Sequence, residues 1–450
     1  LGIPEGLSRY LAYYRGKDLP DKMRATLKIS LRLMFFSGIL TAVILFLLAP
    51  TISKTIFHNS SLTLVLQIII IAIPFDLTTR IFVNTLRGLE LPKYEAVIRN
   101  IVENLVKIGI TILFFVAGIK LLGMTIAFVA AIILSFILLA YFLIKRFSPF
   151  KHSEKYPELR KELLKYSVPL FMSGFVIFIY TSIDTIMIGS FKDAVAVGIY
   201  NVAVPTAQLL YIFPATLMAM FLPVITMIYA KEHRQQFRTI YQTATRWILI
   251  VNLALLVPLF IFSKEFLSML FGSVYAAASV PLMILLVGRF LDFSLFASHN
   301  LLLVIKKTKL FLLNTALAAV LNLVLNFILI PKLGINGAAL ATAISVTFLS
   351  TLVLIETTIL TKHLPFKPSA LKILISALFS GLVLYYLRTQ WEPINLFIMI
   401  AQGIIFLGFY LFLLLITKAF EKGDFDVVLM IEDKTGREFK LLKRFLRKFR

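Results

Sequence analysis

Residues 125–144 read TIAFVAAIILSFILLAYFLI and contain no charged side chain. As a helix rising about 1.5 Å per residue, twenty such positions cover about 30 Å, the thickness of a bilayer's hydrocarbon core. Only helices and closed barrels satisfy every backbone polar group in that medium. A barrel strand would alternate apolar and polar positions, and this run does not. The stretch is therefore a membrane-crossing helix. Three others read the same way: 33–50 (LMFFSGILTAVILFLLAP), 110–119 (ITILFFVAGI) and 394–416 (INLFIMIAQGIIFLGFYLFLLLI).

Working outward from these, twelve spans are expected, at 26–50, 62–88, 95–118, 122–144, 166–190, 194–229, 240–263, 277–305, 309–331, 335–361, 370–388 and 394–417. The span at 194–229 is long and holds Pro205, Pro214 and Pro223, so a bend is expected there. The fold class is an all-α polytopic membrane protein. Composition agrees: of 450 residues, 59% are hydrophobic and 15% charged, whereas soluble domains are about half apolar and a quarter charged.

The net charge of +23 would suggest nucleic acid on a soluble chain. Here its distribution gives another reason. Of 46 Lys and Arg, 38 fall on the side that carries both chain ends, six on the other, and Lys107 and Arg289 inside spans. Cytoplasmic loops are enriched in Lys and Arg, so both ends of this chain are expected in the cytoplasm, with the charge serving topology and not nucleic acid. There is no Cys, which excludes disulfides, thiolate metal sites and Cys nucleophiles.

The chain repeats itself. GIPEGLSRYLAYYRGKDLPDKMRATLKISL resembles FLPVITMIYAKEHRQQFRTIYQTATRWILI, with Pro4 on Pro223 and Tyr10 on Tyr229. Farther on, Asn100 falls on Asn314 and Leu122-Gly123 on Leu333-Gly334. Residues 166–220 have no earlier counterpart, so the chain is expected to start at the cytoplasmic end of a second helix. The full protein would then have 14 spans, in two pseudo-symmetric six-helix bundles plus two extra helices. The expected organisation is an N-terminal lobe at 1–144, a basic linker at 145–165, a C-terminal lobe at 166–361, the added helices at 370–417 and a basic tail at 418–450. Paired repeats with small outside loops suggest an alternating-access transporter.

Three segments carry a family likeness. YSVPLFMSGFVIFIYTSIDTIMIGSF followed by AVGIYNVAVP resembles a lobe opening in the multidrug/oligosaccharidyl-lipid/polysaccharide (MOP) exporter superfamily. NLVLNFILIPKLGINGAALATAIS resembles its late-lobe signature, and EGLSRYLAYYRGK the first cytoplasmic loop of its polysaccharide-exporter (Wzx-like) branch. The two added helices are similar to that branch and to lipid II flippases. The resemblance implies a V-shaped pair of bundles. It also implies flipping of a polyprenyl-(pyro)phosphate-linked oligosaccharide from the cytoplasmic to the outer leaflet of the plasma membrane, for surface glycan assembly.

Charges at bilayer depth cost about 2.5–3.5 kcal/mol on insertion scales, so each requires a reason. Asp76, Arg80, Asn84 and Arg87 form one helical stripe, and Arg99, Glu103, Lys107 and Thr111 another, with Asn100 and Asn104 beside it. Together they read as the lining of a wet, cationic cavity between the lobes for a phosphate-bearing headgroup. The competing reading is internal neutralisation by the i,i+4 pairs Asp76–Arg80 and Glu103–Lys107, and for Arg87 and Arg99 snorkelling to the interface. In the second lobe, Arg289 and Asp292 form either an ion pair or a ligand site, with His299 and Asn300 on the same span. Asp184 shares a face with Ser173 and Tyr180 and is read either as a proton or sodium site for ion coupling, or as a cap near the span end. Asn322 and Asn326 are expected to hydrogen-bond between helices, and Glu356 to reach water at the cytoplasmic end.

In the tail, EFKLLKRFLRKFR sets Phe439, Leu442, Phe445, Leu446 and Phe449 against Lys440, Lys443, Arg444, Arg447 and Arg450. This is a basic amphipathic helix suited to anionic inner-leaflet lipids or to docking on the protein's own loops. Other polysaccharide-assembly proteins are further candidate partners. No Gly-rich phosphate loop of Walker type occurs, and five scattered His lack metal spacing. No cofactor is expected beyond a coupling proton or sodium ion. Two alternatives remain. One is a cation-coupled multidrug exporter, which a Lys- and Arg-rich cavity disfavours. The other is a membrane glycan polymerase or glycosyltransferase, which the short outside connections disfavour. The chain is read as a transporter, not an enzyme.

Overall fold

The structure is a computed structural model, and it describes residues 3–89, 91, 93–147, 156–230, 233–305, 307–391 and 395–421. Among the described residues every regular element is a helix. The chain divides into two compact units, Leu1–Val176 and Ile177–Arg450.

The first unit comprises α1 (Ile3–Gly16), α2 (Pro20–Thr51), α3 (Leu62–Ile71), α4 (Ile73–Gly88), α5 (Lys93–Val97), α6 (Glu103–Val116), α7 (Lys120–Phe147) and the start of α8 (Pro157–Phe191). Pro20 opens α2 and Pro157 opens α8, at positions where the missing amide costs nothing. Pro74 has the opposite effect on the expected span 62–88: it breaks the ladder, and α3 and α4 meet at Ala72. Between α5 and α6, residues Ile98–Val102 form a π turn, which rotates everything after it. Helix reaches farther into the linker at 145–165 than its charge suggests, to Phe147 on one side and from Pro157 on the other; the intervening 148–155 lie outside the described residues.

The core of this unit joins α1, α2, α4 and α7 through Leu11, Leu27, Ile81, Leu86 and Leu139, all fully buried. Lipid is as apolar as leucine, so at bilayer depth such burial stabilises through close packing rather than through expulsion of water. Val116 and Phe397, one in each unit, are each 82% exposed, as expected of side chains that face acyl chains.

The second unit holds the rest of α8, then α9 (Ala194–Ala207), α10 (Ile212–Ala230), α11 (Arg234–Ile261), α12 (Ser263–Phe271), α13 (Ser279–Ser294), α14 (Phe296–Val304), α15 (Thr308–Leu333), α16 (Ile335–Thr361), α17 (Ser369–Gln390) and α18 (Leu396–Ile416). Asp193 caps α9 by accepting from the Ala196 amide at 2.7 Å. The bend expected in 194–229 lies at the 3-10 turn Gln208–Tyr211, just after Pro205 removes an amide from the ladder. The hairpin between α15 and α16 turns on Gly334, whose φ of +59° is costly for any residue with a Cβ. A Cβ on Gly288 would lie 2.6 Å from the Ala343 Cα, so α13 and α16 cross at backbone contact.

The two added helices pack on α11. Leu249 and Leu253 meet Ile373, Leu384, Phe406 and Tyr410 there, and the Tyr410 hydroxyl donates to the Ile250 carbonyl at 3.3 Å. Ten helices among the described residues are long and apolar enough to cross a membrane. They correspond to ten of the twelve expected spans. The other two expected spans are also helical: 93–116, interrupted by the π turn and carrying Lys93, Glu95, Arg99, Glu103 and Lys107, and α8. The fold is that of a multi-pass helical membrane protein.

Candidate functional site

In the first unit the two predicted stripes meet. The Pro74 bend aims the first turn of α4 at the π turn, and the charges join into one alternating chain. Arg80 Nε donates to Asp76 Oδ2 at 3.0 Å. Arg99 Nη2 donates to Asp76 Oδ1 at 2.5 Å. Glu103 lies 3.9 Å from Arg99 Nε and 3.6 Å from Lys107 Nζ. Ser135 of α7 donates to Glu103 at 2.8 Å, and Lys107 stands 5.1 Å over the Phe128 ring. Each carboxylate is thus shared by two cations, and three cations face two carboxylates.

The internal pairs Asp76–Arg80 and Glu103–Lys107 both form, so the neutralising reading describes real contacts. They do not use up the positive charge. Asp76, Arg80, Arg99 and Glu103 line a cavity of about 400 Å³ whose other walls include Ile73, Phe128 and Ile132. Two cations and two carboxylates line it, and the third cation, Lys107, stands beside it over the Phe128 wall, so the excess positive charge borders an apolar surface where an anion's desolvation can be offset.

Three other predicted residues of the first unit lie outside that lining, Lys107 among them. Arg87 grips Glu95 with both nitrogens, at 2.7 and 2.6 Å. Asn104 is exposed and donates to its own helix at Asn100. Sequence spacing missed Ser135 and the Arg99–Asp76 pair, because each partner comes from another helix.

The second unit contains a different kind of site. Asp184 is buried and does not cap a helix. Tyr200 donates to its Oδ2 at 3.0 Å and Asn326 to its Oδ1 at 2.7 Å, while the Thr342 hydroxyl also donates to Oδ2. Helices α8, α9, α15 and α16 thereby converge on one carboxylate. Asn326 also donates to Asn322 at 3.0 Å one turn away on α15, so of the two asparagines Asn326 bonds between helices while the bond to Asn322 stays within its own helix. The Asn326 Oδ1 atom and the Asn322 Nδ2 atom are buried with no hydrogen-bond partner among the described residues. Arg289 joins Asp184, Tyr200 and Thr342 around a cavity of about 20 Å³, room for one water-sized guest. The side chains of Ser173 and Tyr180 lie outside the described ones.

Arg289 also pairs with Asp292 at 3.7 Å. Asp292 accepts from Ser350 at 2.8 Å and lies 3.4 Å from His299 Nε2, which ties α13, α14 and α16 together just below the break at Leu295. Glu356 accepts from Asn314 of α15 at 2.5 Å, a helix-to-helix bond where the sequence suggested contact with water. The amphipathic tail at 439–450 lies outside the described residues. No cluster of three His, Cys, Asp or Glu suited to a metal occurs among the described residues.

Residues 1–229 match the family described as polysaccharide biosynthesis protein, and residues 169–328 match MatE. Over 363 residues the chain is 25% identical to an uncharacterized membrane protein of Methanocaldococcus jannaschii, covering 76% of this chain and 70% of that one. Over 277 residues it is 26% identical to a probable low-salt glycan biosynthesis flippase, Agl15, of Haloferax volcanii, covering 61% of this chain and 57% of the relative's length. Among solved structures, the lipid II flippase MurJ in an inward closed conformation superposes with a TM-score of 0.74 at 19% identity, over 91% of this chain and 88% of the other. That likeness shows the fold.

Proposed function

The chain belongs to the polysaccharide biosynthesis protein family, within the MOP exporter superfamily, and on that footing we propose that it flips a polyprenyl-(pyro)phosphate-linked oligosaccharide from the cytoplasmic to the outer leaflet by alternating access. The observation that carries this reading is the charge chain from Arg80 to Lys107 around its cavity. A phosphate-bearing headgroup loses hydration on leaving water, and cations in an apolar wall offset that loss. The glycan-flippase relative in Haloferax supports the same substrate class. A cationic wall repels cationic drugs, which weighs against the multidrug-exporter alternative.

In this reading Arg80, Arg99 and Lys107 hold the phosphate-bearing group. Asp76 and Glu103 position those cations and keep them from binding an anion irreversibly. Asp184, with Asn326, Thr342 and Tyr200, takes the coupling ion. The carboxylate, the two hydroxyls and the orphaned Asn326 Oδ1 are hard oxygen donors that suit a proton or sodium ion. The lobes correspond to 1–144 and 166–361, the protein sits in the cell membrane with both ends of this chain cytoplasmic, and the tail contacts anionic inner-leaflet lipids.

The test is reconstitution. Purified protein in liposomes should move a fluorescent polyprenyl-pyrophosphate glycan between leaflets, and deletion of the gene should trap lipid-linked glycan on the cytoplasmic leaflet. Altered drug sensitivity with normal glycan export would overturn the proposal.

A further inference from the structure

A further cavity lies in the second unit, where the end of α10, the start of α11 and the end of α16 meet. It measures about 470 Å³ and is walled by Tyr229, His233, Arg234, Phe237, Lys362 and His363, among others. The face is the one that carries most of the chain's Lys and Arg, so cations there are ordinary. Their lack of carboxylate partners among the described residues is not. Neighbouring cations on this face have carboxylates: Arg246 and Lys367 both hold Glu421 at 2.6 Å. Arg234 and Lys362, and Arg238 beside them, have no carboxylate partner among the described residues. No described acid lines the cavity.

Two further observations point the same way. Burial, and after it the fields of Arg238 and Arg234, push the His363 imidazole below its ordinary value, so part of the shift reports positive charge close to the ring. Lys362 ends α16 with a φ of +59°, in a left-handed conformation usually left to glycine or asparagine. The chain thus tolerates backbone strain where a cation faces the cavity. The Phe237 ring lies tilted against both Tyr229 (5.7 Å between centroids) and His363 (6.3 Å), which lines the site with aromatic surface.

We infer that this cavity is a second anion site, separate from the charge chain of the first unit, which binds a phosphate-bearing group at the basic face through Arg234, Lys362 and the His233 and His363 rings. The Arg fork and the Lys ammonium supply charge-assisted bonds to phosphate oxygens, and the volume suits a headgroup-sized ligand better than a bare halide. The phosphate could be carried by a soluble molecule or by an inner-leaflet lipid.

Thermal shift of the full chain in neutral detergent separates these sources. The probes are inorganic pyrophosphate and dioctanoyl phosphatidic acid, each matched in ionic strength with sodium chloride. At least one should raise the melting temperature of the wild type. Pyrophosphate alone would identify a soluble ligand, phosphatidic acid alone a lipid headgroup, and both a site that reads phosphate whatever carries it. Arg234→Ala with Lys362→Gly should weaken the responding probe by about tenfold or more. The Gly substitution relieves the left-handed strain, so this variant should melt no lower than wild type without ligand. Arg80→Ala with Lys107→Ala, which removes two of the charge chain's three cations, should leave the response in place, so the second site is read in that background. No shift in the Arg80→Ala/Lys107→Ala protein with either probe, or a shift that survives when Arg234→Ala and Lys362→Gly are added to it, overturns the inference.

Discussion

Arg99 and Asp76 are 23 positions apart in sequence, yet Arg99 Nη2 reaches Asp76 Oδ1 at 2.5 Å. The pair joins α4 to the π turn and converts two separate stripes into one chain of charges. Asp76→Asn should leave Arg80 and Arg99 without their shared carboxylate and destabilise the protein by about 1–3 kcal/mol. Adding Arg99→Gln should recover part of that loss, with a coupling of about 1 kcal/mol or more. Thermal unfolding in detergent measures all three variants, and strictly additive losses would show that the pair contributes nothing.

Arg80 and Lys107 stand at the two ends of the chain, each sharing its carboxylate with Arg99. Replacing both with Ala should abolish headgroup transport while membrane levels of the protein stay normal. Each lost charge-assisted contact is worth about tenfold in binding. Full flipping activity in liposomes would move the binding site elsewhere.

Asp184→Asn keeps the size of the side chain while removing its charge. The variant should fold, because its amide oxygen can still accept from Asn326 while its NH2 group donates to the Thr342 or Tyr200 hydroxyl, which can also accept. It should also lose the dependence of flipping on an imposed proton or sodium gradient. Reconstituted transport with and without each gradient decides this; unchanged gradient dependence would exclude Asp184 as the coupling site.

Gly288→Val tests the crossing of α13 and α16. Even the first added carbon would sit 2.6 Å from the Ala343 backbone, so the helices must separate. A loss of about 1–3 kcal/mol is expected from overpacking, read as a lower melting temperature. A variant as stable as wild type would mean that the helices can part without cost.

Glu421 ties the end of the last described helix pair to Arg246, Lys367 and Ser369. Burial alone would raise its carboxyl, but the bonds from Lys367, Arg246 and Ser369 outweigh it and lower the group from 4.5 to about 2. A depressed carboxyl contributes stability above its unfolded value and loses it as pH falls through the folded one. Wild-type stability should therefore decline as pH drops from 4.5 toward 2. Glu421→Gln should be less stable at pH 7 and show a shallower decline over that window. Parallel acid profiles of the two proteins would rule the clasp out.

The sequence by itself determined that the chain is helical, that it crosses a membrane many times, and which loops carry the basic charge. The run at 125–144 suffices for the first two, because hydrocarbon thickness and backbone satisfaction depend only on what is contiguous along the chain. It also placed Asp76, Arg80, Arg99, Glu103 and Lys107 on helix faces, since i,i+4 spacing is likewise local. What it left open was whether those charges pair only within their own helices, and whether Asp184 caps a helix. Tertiary structure alone decided that. The Pro74 bend and the π turn at Ile98–Val102 set the rotation of α4 and α6, and so bring Arg99 to Asp76 and Ser135 to Glu103. Asn326 and Thr342 reach Asp184 from 142 and 158 positions away. Contacts of that range depend on how helices turn and cross, which periodicity within one helix does not encode.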